Sequence, residues 1–351
     1  MGSHHFETTK GLITFMQALL LTKTHENPTV TRVERPIPGP GEALIKLSHS
    51  ALNRRDVWIK RGKYPGIVHP IILGSDGCGT VVEAQGYEAQ WLNQRVVLYP
   101  GYDWGTEERF QSSNYRILGL PENGTFAEYI KIPVDNLRRA PGHLNDAQAA
   151  ACPLAGLTAW RALMTRARAR AGDRILVTGI GGGVAQLAAL FASSLGADVI
   201  VTSGSEDKIS RFESCSDGVL YTDPDWATQL KQKAPQGFDI IIDGAGGPGF
   251  GQLVRLLAPG GRIAFYGGTC GRWPEILPQH LFFRQVEILA TTMGSPRDFD
   301  EMLIFLERRG VIPPVDSVFA LADGGAAFDH LESGAQFGKV VLNIGTEEGT
   351  P

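Results

Sequence analysis

Between residues 172 and 292 short apolar runs alternate with stretches of helical periodicity. This is the rhythm of a parallel sheet whose crossovers are helices. Strands are predicted at 175–178, 199–202, 219–221, 239–243, 262–266 and 288–292, and helices near 184–194, 208–213, 226–233 and 250–257. Six strands in two halves predict a doubly wound α/β sheet whose ligand lies at the switch point between the first and fourth strands. Residues 17 to about 150 read differently, with short alternating strands and Pro/Gly turns such as Pro36-Ile-Pro-Gly-Pro-Gly41. That pattern predicts a separate, mostly β domain whose first strand covers 17–21. A further helix is predicted at 299–309, and a strand at 339–343 that returns to the first domain.

The stretch Gly172-Asp-Arg-Ile-Leu-Val-Thr-Gly-Ile-Gly-Gly-Gly-Val-Ala185 joins a buried strand to an apolar helix through a turn almost free of side chains. A pyrophosphate needs backbone amides at close range and the positive end of a helix, and side chains would block both. As G-x-x-G-x-x-A, the turn uses Gly179 and Gly182, with Ala185 letting the helix lie close on the strand. Asp243-Gly-Ala-Gly246 and Tyr266-Gly-Gly268 fall at strand ends facing the same point.

An acidic residue about 20 positions after such a turn would hold the ribose of NAD. Here the second strand runs into Thr202-Ser-Gly-Ser205, with Lys208 and Arg211 following. Hydroxyls and positive charge suit the extra phosphate of NADP. The alternative is that Ser203 and Ser205 are loop residues, Glu206 and Asp207 an acidic first turn, and Lys208 a solvated helix residue.

The chain has 351 residues, 43% hydrophobic content and a net charge of −4, which points to two domains and away from nucleic acid. Arg161, Arg166, Arg168, Arg170 and Arg174 read as a solvated face. Cys78, Cys152, Cys215 and Cys270 form no C-x-x-C pair, so each reads as a buried small hydrophobe in a reducing, cytoplasmic setting. The apolar run 12–21 is too short and interrupted to span a bilayer, so no membrane contact is expected. Met16 is an alternative start, with the residues before it a flexible extension; His4 and His5 are too few for a tag or a metal site.

From about residue 16 to 344 the chain resembles the medium-chain dehydrogenase/reductase superfamily, and within it the zinc-independent quinone oxidoreductase-like branch. The resemblance rests on Pro38-Gly-Pro-Gly-Glu42, Leu52-Asn-Arg-Arg-Asp56 with Arg61-Gly-Lys-Tyr64, and Leu73-Gly-Ser-Asp-Gly-Cys-Gly-Thr-Val81. Gly124-Thr-Phe-Ala-Glu-Tyr129, Leu154-Ala-Gly-Leu-Thr-Ala159, the glycine turn and Gln336-Phe-Gly-Lys-Val-Val341 complete it. It implies a GroES-like catalytic domain over 16–149, completed by 297–351, and a Rossmann dinucleotide domain over 150–296. Along NADP(H) it implies Gly179, Gly182, Gly183 and Val184 at the turn, and Ser203, Ser205 and Lys208 after the second strand. It further implies Asp243, Gly267, Thr292 and Met293 at later strand ends, with Thr158 and Lys339 from flanking segments.

Zinc alcohol dehydrogenases of this superfamily bind the catalytic metal through Cys, His and Cys. Here the matching positions hold Asn53, Ser75 and Leu154. Leucine cannot ligate, and Asn and Ser are poor zinc ligands. Asp76 and Cys152 lie one and two residues away, with His49 and His69 near, which leaves a rearranged site as the alternative. Without a metal, donors in a dry cleft must stabilise the developing oxyanion, a task suited to quinones and α,β-unsaturated carbonyls. The resemblance implies Asn53 and Tyr64 as those donors, with Arg55 and Asp56 nearby and Thr158 beside the nicotinamide. The alternatives are a turn-forming Asn53, a helix first-turn Asp56, Tyr64 as cleft packing, and solvated Arg54 and Arg55. The segment 99–110, with Trp104, replaces the lobe that carries structural zinc in relatives, as lid or as filler. Trp58, Trp273 and Phe282 read as core packing or cleft wall. Relatives commonly pair through the edge of the nucleotide sheet, so a homodimer acting on a small carbonyl or quinone is expected. A zinc-type alcohol dehydrogenase and a non-catalytic, crystallin-like NADPH binder are the other readings.

Overall fold

The computed structural model describes residues 14–345. His4 and His5, and all of the proposed extension but residues 14 and 15, lie outside them. Six parallel strands form the nucleotide sheet, in the spatial order Asp217–Leu220, Asp198–Ser203, Arg174–Val177, Phe238–Asp243, Leu257–Phe265 and Glu287–Ala290. This is the 3-2-1-4-5-6 order, with its switch between the first and fourth strands. Val177 lies opposite Val201 on one side and Ile242 on the other, so the glycine turn that follows opens at the switch point.

The turn is shaped by its residue types. Gly179 has φ +70°, a backbone conformation that a side chain disfavours. The helix Gly183–Leu195 that follows buries Ala185, Ala188, Ala189 and Ala192, whose small side chains let it approach the sheet, and it ends on the left-handed Gly196. The last strand stops at Ala290, so Thr292 and Met293 lie in the loop beyond it.

In the other domain Glu42–Ala51 is the central strand, pairing with Asp76–Ala84, Tyr129–Pro133 and Lys339–Asn343. Phe15–Leu21 pairs with Thr29–Glu34 in a small separate sheet. The C-terminal strand does return to this domain, placing Val341 against Ala51. The helix Pro296–Arg309 packs Phe299, Met302 and Leu306 into a core that also holds Val97 and Tyr99, and the chain enters the β-domain sheet at Val315–Ala320. A helix at Gly324–Ser333, which the periodicity did not suggest, packs Phe328 into the β-domain core. The domains meet where Gly338 donates its N–H to the Gly181 carbonyl at 3.3 Å.

Candidate active site

A cleft of about 800 Å³ runs along this junction. Its floor is the turn Gly181–Gly183, whose helix has Gly182 as N-cap and no side chain capping its first N–H groups. Those amides are therefore free for an anion. A Cβ on Gly181 would lie 3.0 Å from Lys208 Cδ, and one on Gly183 2.7 Å from Lys339 Cδ, so the bare backbone lets two lysines cross the turn. Gly179, Val184, Ser203, Ser205, Lys208, Asp243 and Lys339 line the cleft with them.

At one end Ser203 Oγ accepts the Ser205 N–H at 3.1 Å, and Lys208 Nζ donates to the Gly334 carbonyl at 2.7 Å, leaving two ammonium hydrogens. Tyr221 and Trp226 line the same cleft, whereas Glu206 and Asp207 do not. Asp243 accepts from Thr178 Oγ1 at 2.6 Å and from the Gly246 N–H at 2.7 Å; burial pushes its carboxyl above the ordinary range. Gln336 also lines the cleft, and its buried Oε1 has no partner, an acceptor awaiting a donor. The uncapped helix, the side-chain-free turn and this orphaned acceptor fit a dinucleotide.

Asp56, Tyr64, Thr158, Gly267, Thr292 and Met293 are not among the residues lining this cavity. Thr158 Oγ1 donates to the Leu154 carbonyl at 2.8 Å and touches Met293 Sδ at 3.9 Å. Gly267 is explained by strand packing, since a Cβ there would sit 2.6 Å from the Gly244 carbonyl oxygen.

Asn53 also lines the cleft, as N-cap of the helix Arg54–Lys60. Its backbone N–H donates to Asp56 Oδ2 at 2.7 Å, which fixes where the helix begins. Its side chain is held at both ends: Oδ1 accepts from Lys339 Nζ at 2.6 Å, and Nδ2 donates to Asp76 Oδ2 at 2.9 Å. Asp76 Oδ1 in turn accepts the Leu154 N–H at 2.7 Å. Asp56 is fully buried, with Oδ1 unpartnered, and burial pushes its carboxyl up to about 6 against the pull of Arg55. Arg55 is not solvated. It is buried, donating to Ser75 Oγ, to the Leu118, Ile117 and Leu120 carbonyls, and through Nε to Tyr64 Oη at 3.3 Å. Arg54 donates to the Leu331 carbonyl at 3.1 Å and lines the cleft.

This donor set does not fit zinc. The side chains at the three ligand positions are an amide bound to an ammonium, a hydroxyl donating to the Leu118 carbonyl, and a leucine. Burial pushes the Cys152 thiol far up and Cys78 up to about 12. Cys215 is only half-buried and Cys270 is exposed in the cleft, contrary to the expectation that every cysteine is buried.

The segment 99–110 fills space. Trp104 is buried, donates to the Glu107 carbonyl and meets Tyr115 edge-on at 5.2 Å. Arg161, expected in solvent, lies buried under this loop, paired with Asp298 and donating to the Glu108 and Arg109 carbonyls. Trp273 stacks on Phe250 at 3.8 Å.

Among known proteins, the alcohol dehydrogenase GroES-like domain matches residues 39–142 and the zinc-binding dehydrogenase domain matches 183–308. A zinc-type alcohol dehydrogenase-like protein, YogA, of Leptosphaeria maculans is 36% identical over 89% of this chain and 93% of its own length. The chain belongs to the medium-chain dehydrogenase/reductase superfamily. Another member, an acryloyl-coenzyme A reductase of Metallosphaera sedula, is 27% identical over 93% of this chain and 99% of its own. A solved structure titled as an NAD-dependent alcohol dehydrogenase superposes with a TM-score of 0.89 at 36% identity, covering 94% of this chain and 100% of that one. This medium-chain dehydrogenase/reductase is thus an oxidoreductase with a Rossmann domain and a GroES-like domain. The match named for zinc binding spans 183–308 and includes none of Asn53, Ser75 and Leu154.

Sequence reasoning missed Arg54, Ala155, Tyr221, Trp226 and Gln336 as cleft residues. Gln336 stood inside a quoted motif. Tyr221 and Trp226 carry no local signal, because only the sheet order brings the third strand beside the second.

Proposed function

We propose that this protein is a zinc-independent, NADPH-dependent reductase of quinones or α,β-unsaturated carbonyls. The observation that carries the reading is the Asn53–Lys339–Asp76 cluster, where metal-binding relatives place ligands but this chain places an amide, an ammonium and a carboxylate bound to one another. When bound, NADPH supplies the hydride. Asn53 keeps one amide hydrogen engaged only by a 3.5 Å contact to the Ala51 carbonyl, and offers it to the substrate oxygen. Tyr64 accepts from the Arg55 guanidinium, which leaves its own proton free to donate. Charge delocalised on an enolate or quinol oxygen needs only such neutral donors, whereas oxidising a simple alcohol demands a base or Lewis acid. Water or a relay then supplies the proton that completes the reduction. A relative named as a reductase of acryloyl-coenzyme A, an unsaturated thioester, supports this substrate class.

Ser203, Ser205, Lys208 and Tyr221 around one cleft favour NADPH over NADH, as does the absence of Glu206 and Asp207 from the lining. Thr158, Met293 and Thr292 stand as nicotinamide-side residues, with Gly267 shaping the neighbouring strand end. Cysteines without disulfides suit the cytoplasm.

A second reading, an NAD-linked zinc alcohol dehydrogenase, is favoured by the titles of two similar proteins. The test is coenzyme consumption with NADPH and NADH against quinones, enones, aldehydes and alcohols, with and without chelator, beside metal analysis. Reduction of enones or quinones, preference for NADPH and indifference to chelator are expected, with turnover falling about 10²-fold in Asn53→Ala and less in Tyr64→Phe. Stoichiometric zinc with chelator-sensitive alcohol oxidation would establish the second reading instead.

A further inference from the structure

Lys339 lies in the cleft, where a cofactor-binding lysine is expected, yet its hydrogens are already spent. An ammonium has three. They go to the Leu52 carbonyl at 2.8 Å, Asn53 Oδ1 at 2.6 Å and Asp76 Oδ2 at 3.0 Å. Lys339 is 4% exposed and Asp76 fully buried, so solvent does not compete for either group. None is left to meet a pyrophosphate without breaking this buried set.

The same contacts dictate the orientation of the Asn53 amide. Lys339 can only donate, so it must face the amide oxygen; Asp76 can only accept, so it must face the amide nitrogen. Two opposite demands at the two ends of one amide permit a single flip state. Asp76 also ties this pair to the backbone of Leu154, and the Lys339 stem rests on Gly183 of the dinucleotide turn. The clamp thus links the three ligand-position segments to the cofactor floor.

We propose that Lys339 and Asp76 are positioning residues, a buried ion-pair clamp that fixes the Asn53 amide toward the reacting oxygen. The proposal rests on the reductase reading, and its structural half can be tested apart from it.

Lys339→Gln, Asp76→Asn and the double variant are compared with wild type in NADPH dissociation constant, kcat, KM and melting temperature. The clamp predicts an NADPH dissociation constant within about threefold of wild type and a kcat about 30-fold lower or more in each single variant. Each single variant strands a buried charge and should melt early, whereas the double variant strands none and should regain melting temperature while its kcat stays low. Recovery of wild-type kcat in the folded double variant would reduce the pair to a structural role. An NADPH dissociation constant raised about tenfold with kcat unchanged would make Lys339 a cofactor ligand after all. If the wild type reduces none of the substrates, the reductase reading falls, and selective ¹⁵N labelling of asparagine still reads the clamp. Exchange-protected Asn53 side-chain signals that lose protection in Lys339→Gln support it; signals indifferent to that change overturn it.

Discussion

Asp56 carries the clearest pH signature in the molecule. One oxygen holds the Asn53 N–H, the other is buried without partner, and burial lifts its carboxyl to about 6. The native state therefore keeps a proton between about pH 4 and pH 6 that the unfolded chain has released, so wild-type stability falls across that window and levels off above it. Over some two units the loss is about 3 kcal/mol. Asp56→Asn preserves an acceptor for Asn53 and removes the titration. Urea unfolding from pH 4.5 to 7.5 should show the variant gaining on wild type as pH rises to 6 and no further; parallel curves would show that Asp56 does not titrate there. Asp56 was legible as a helix first-turn carboxylate from its motif, and the capping contact bears that reading out. Its part is to place Asn53 through the helix cap, a contact that spacing suggests but burial makes decisive.

The helix Pro296–Arg309 shows how one cap can serve two elements. Ser295 and Asp298 form its capping box, and Asp298 also accepts from Arg161 and from Thr165 Oγ1. Arg161 passes the constraint on, holding the carbonyls of Glu108 and Arg109 with its guanidinium 4.8 Å from the Trp104 ring. Removing Ser295 costs one cap contact, about 1 kcal/mol. Asp298→Ala instead leaves Arg161 buried and unpaired, a loss of about 3–5 kcal/mol. Denaturant unfolding should separate the two variants, and trypsin should cut at Arg109 in Asp298→Ala well before it does in wild type. Equal, small effects would show the loop to be held by Trp104 alone. The sequence announced the helix, though from 299 rather than Pro296, yet gave Arg161 as a surface residue, because an arginine's burial depends on a carboxylate 137 positions away.

The two domains enclose a cleft whose walls come from both, while the strand Glu287–Ala290 leaves one edge of the nucleotide sheet unpaired. Beside it Leu277, Phe282 and Phe283 are exposed, Phe283 by 77%. An open strand edge flanked by apolar side chains suits antiparallel pairing with a second copy of the chain. Sedimentation velocity is expected to give a dimer for wild type and a monomer for the double variant Phe282→Glu, Phe283→Glu. A monomeric wild type would remove the dimer. Among the described residues no helix is long and apolar enough to cross a membrane.

Periodicity and glycine placement alone determined the alternation of strands and helices and the turn almost free of side chains, because these follow from local backbone demands repeated along the chain. The family resemblance put Asn53, Ser75 and Leu154 at the zinc-ligand positions, and residue type alone makes them poor ligands. What Lys339 does was decided only by the tertiary structure. Its three hydrogens are claimed by Leu52, Asn53 and Asp76, all more than 260 positions away in the chain, and only folding brings those acceptors together. Burial of Arg55, Arg161 and Asp56 was likewise settled in three dimensions, because the cost of an enclosed charge depends on which partners the fold delivers to it.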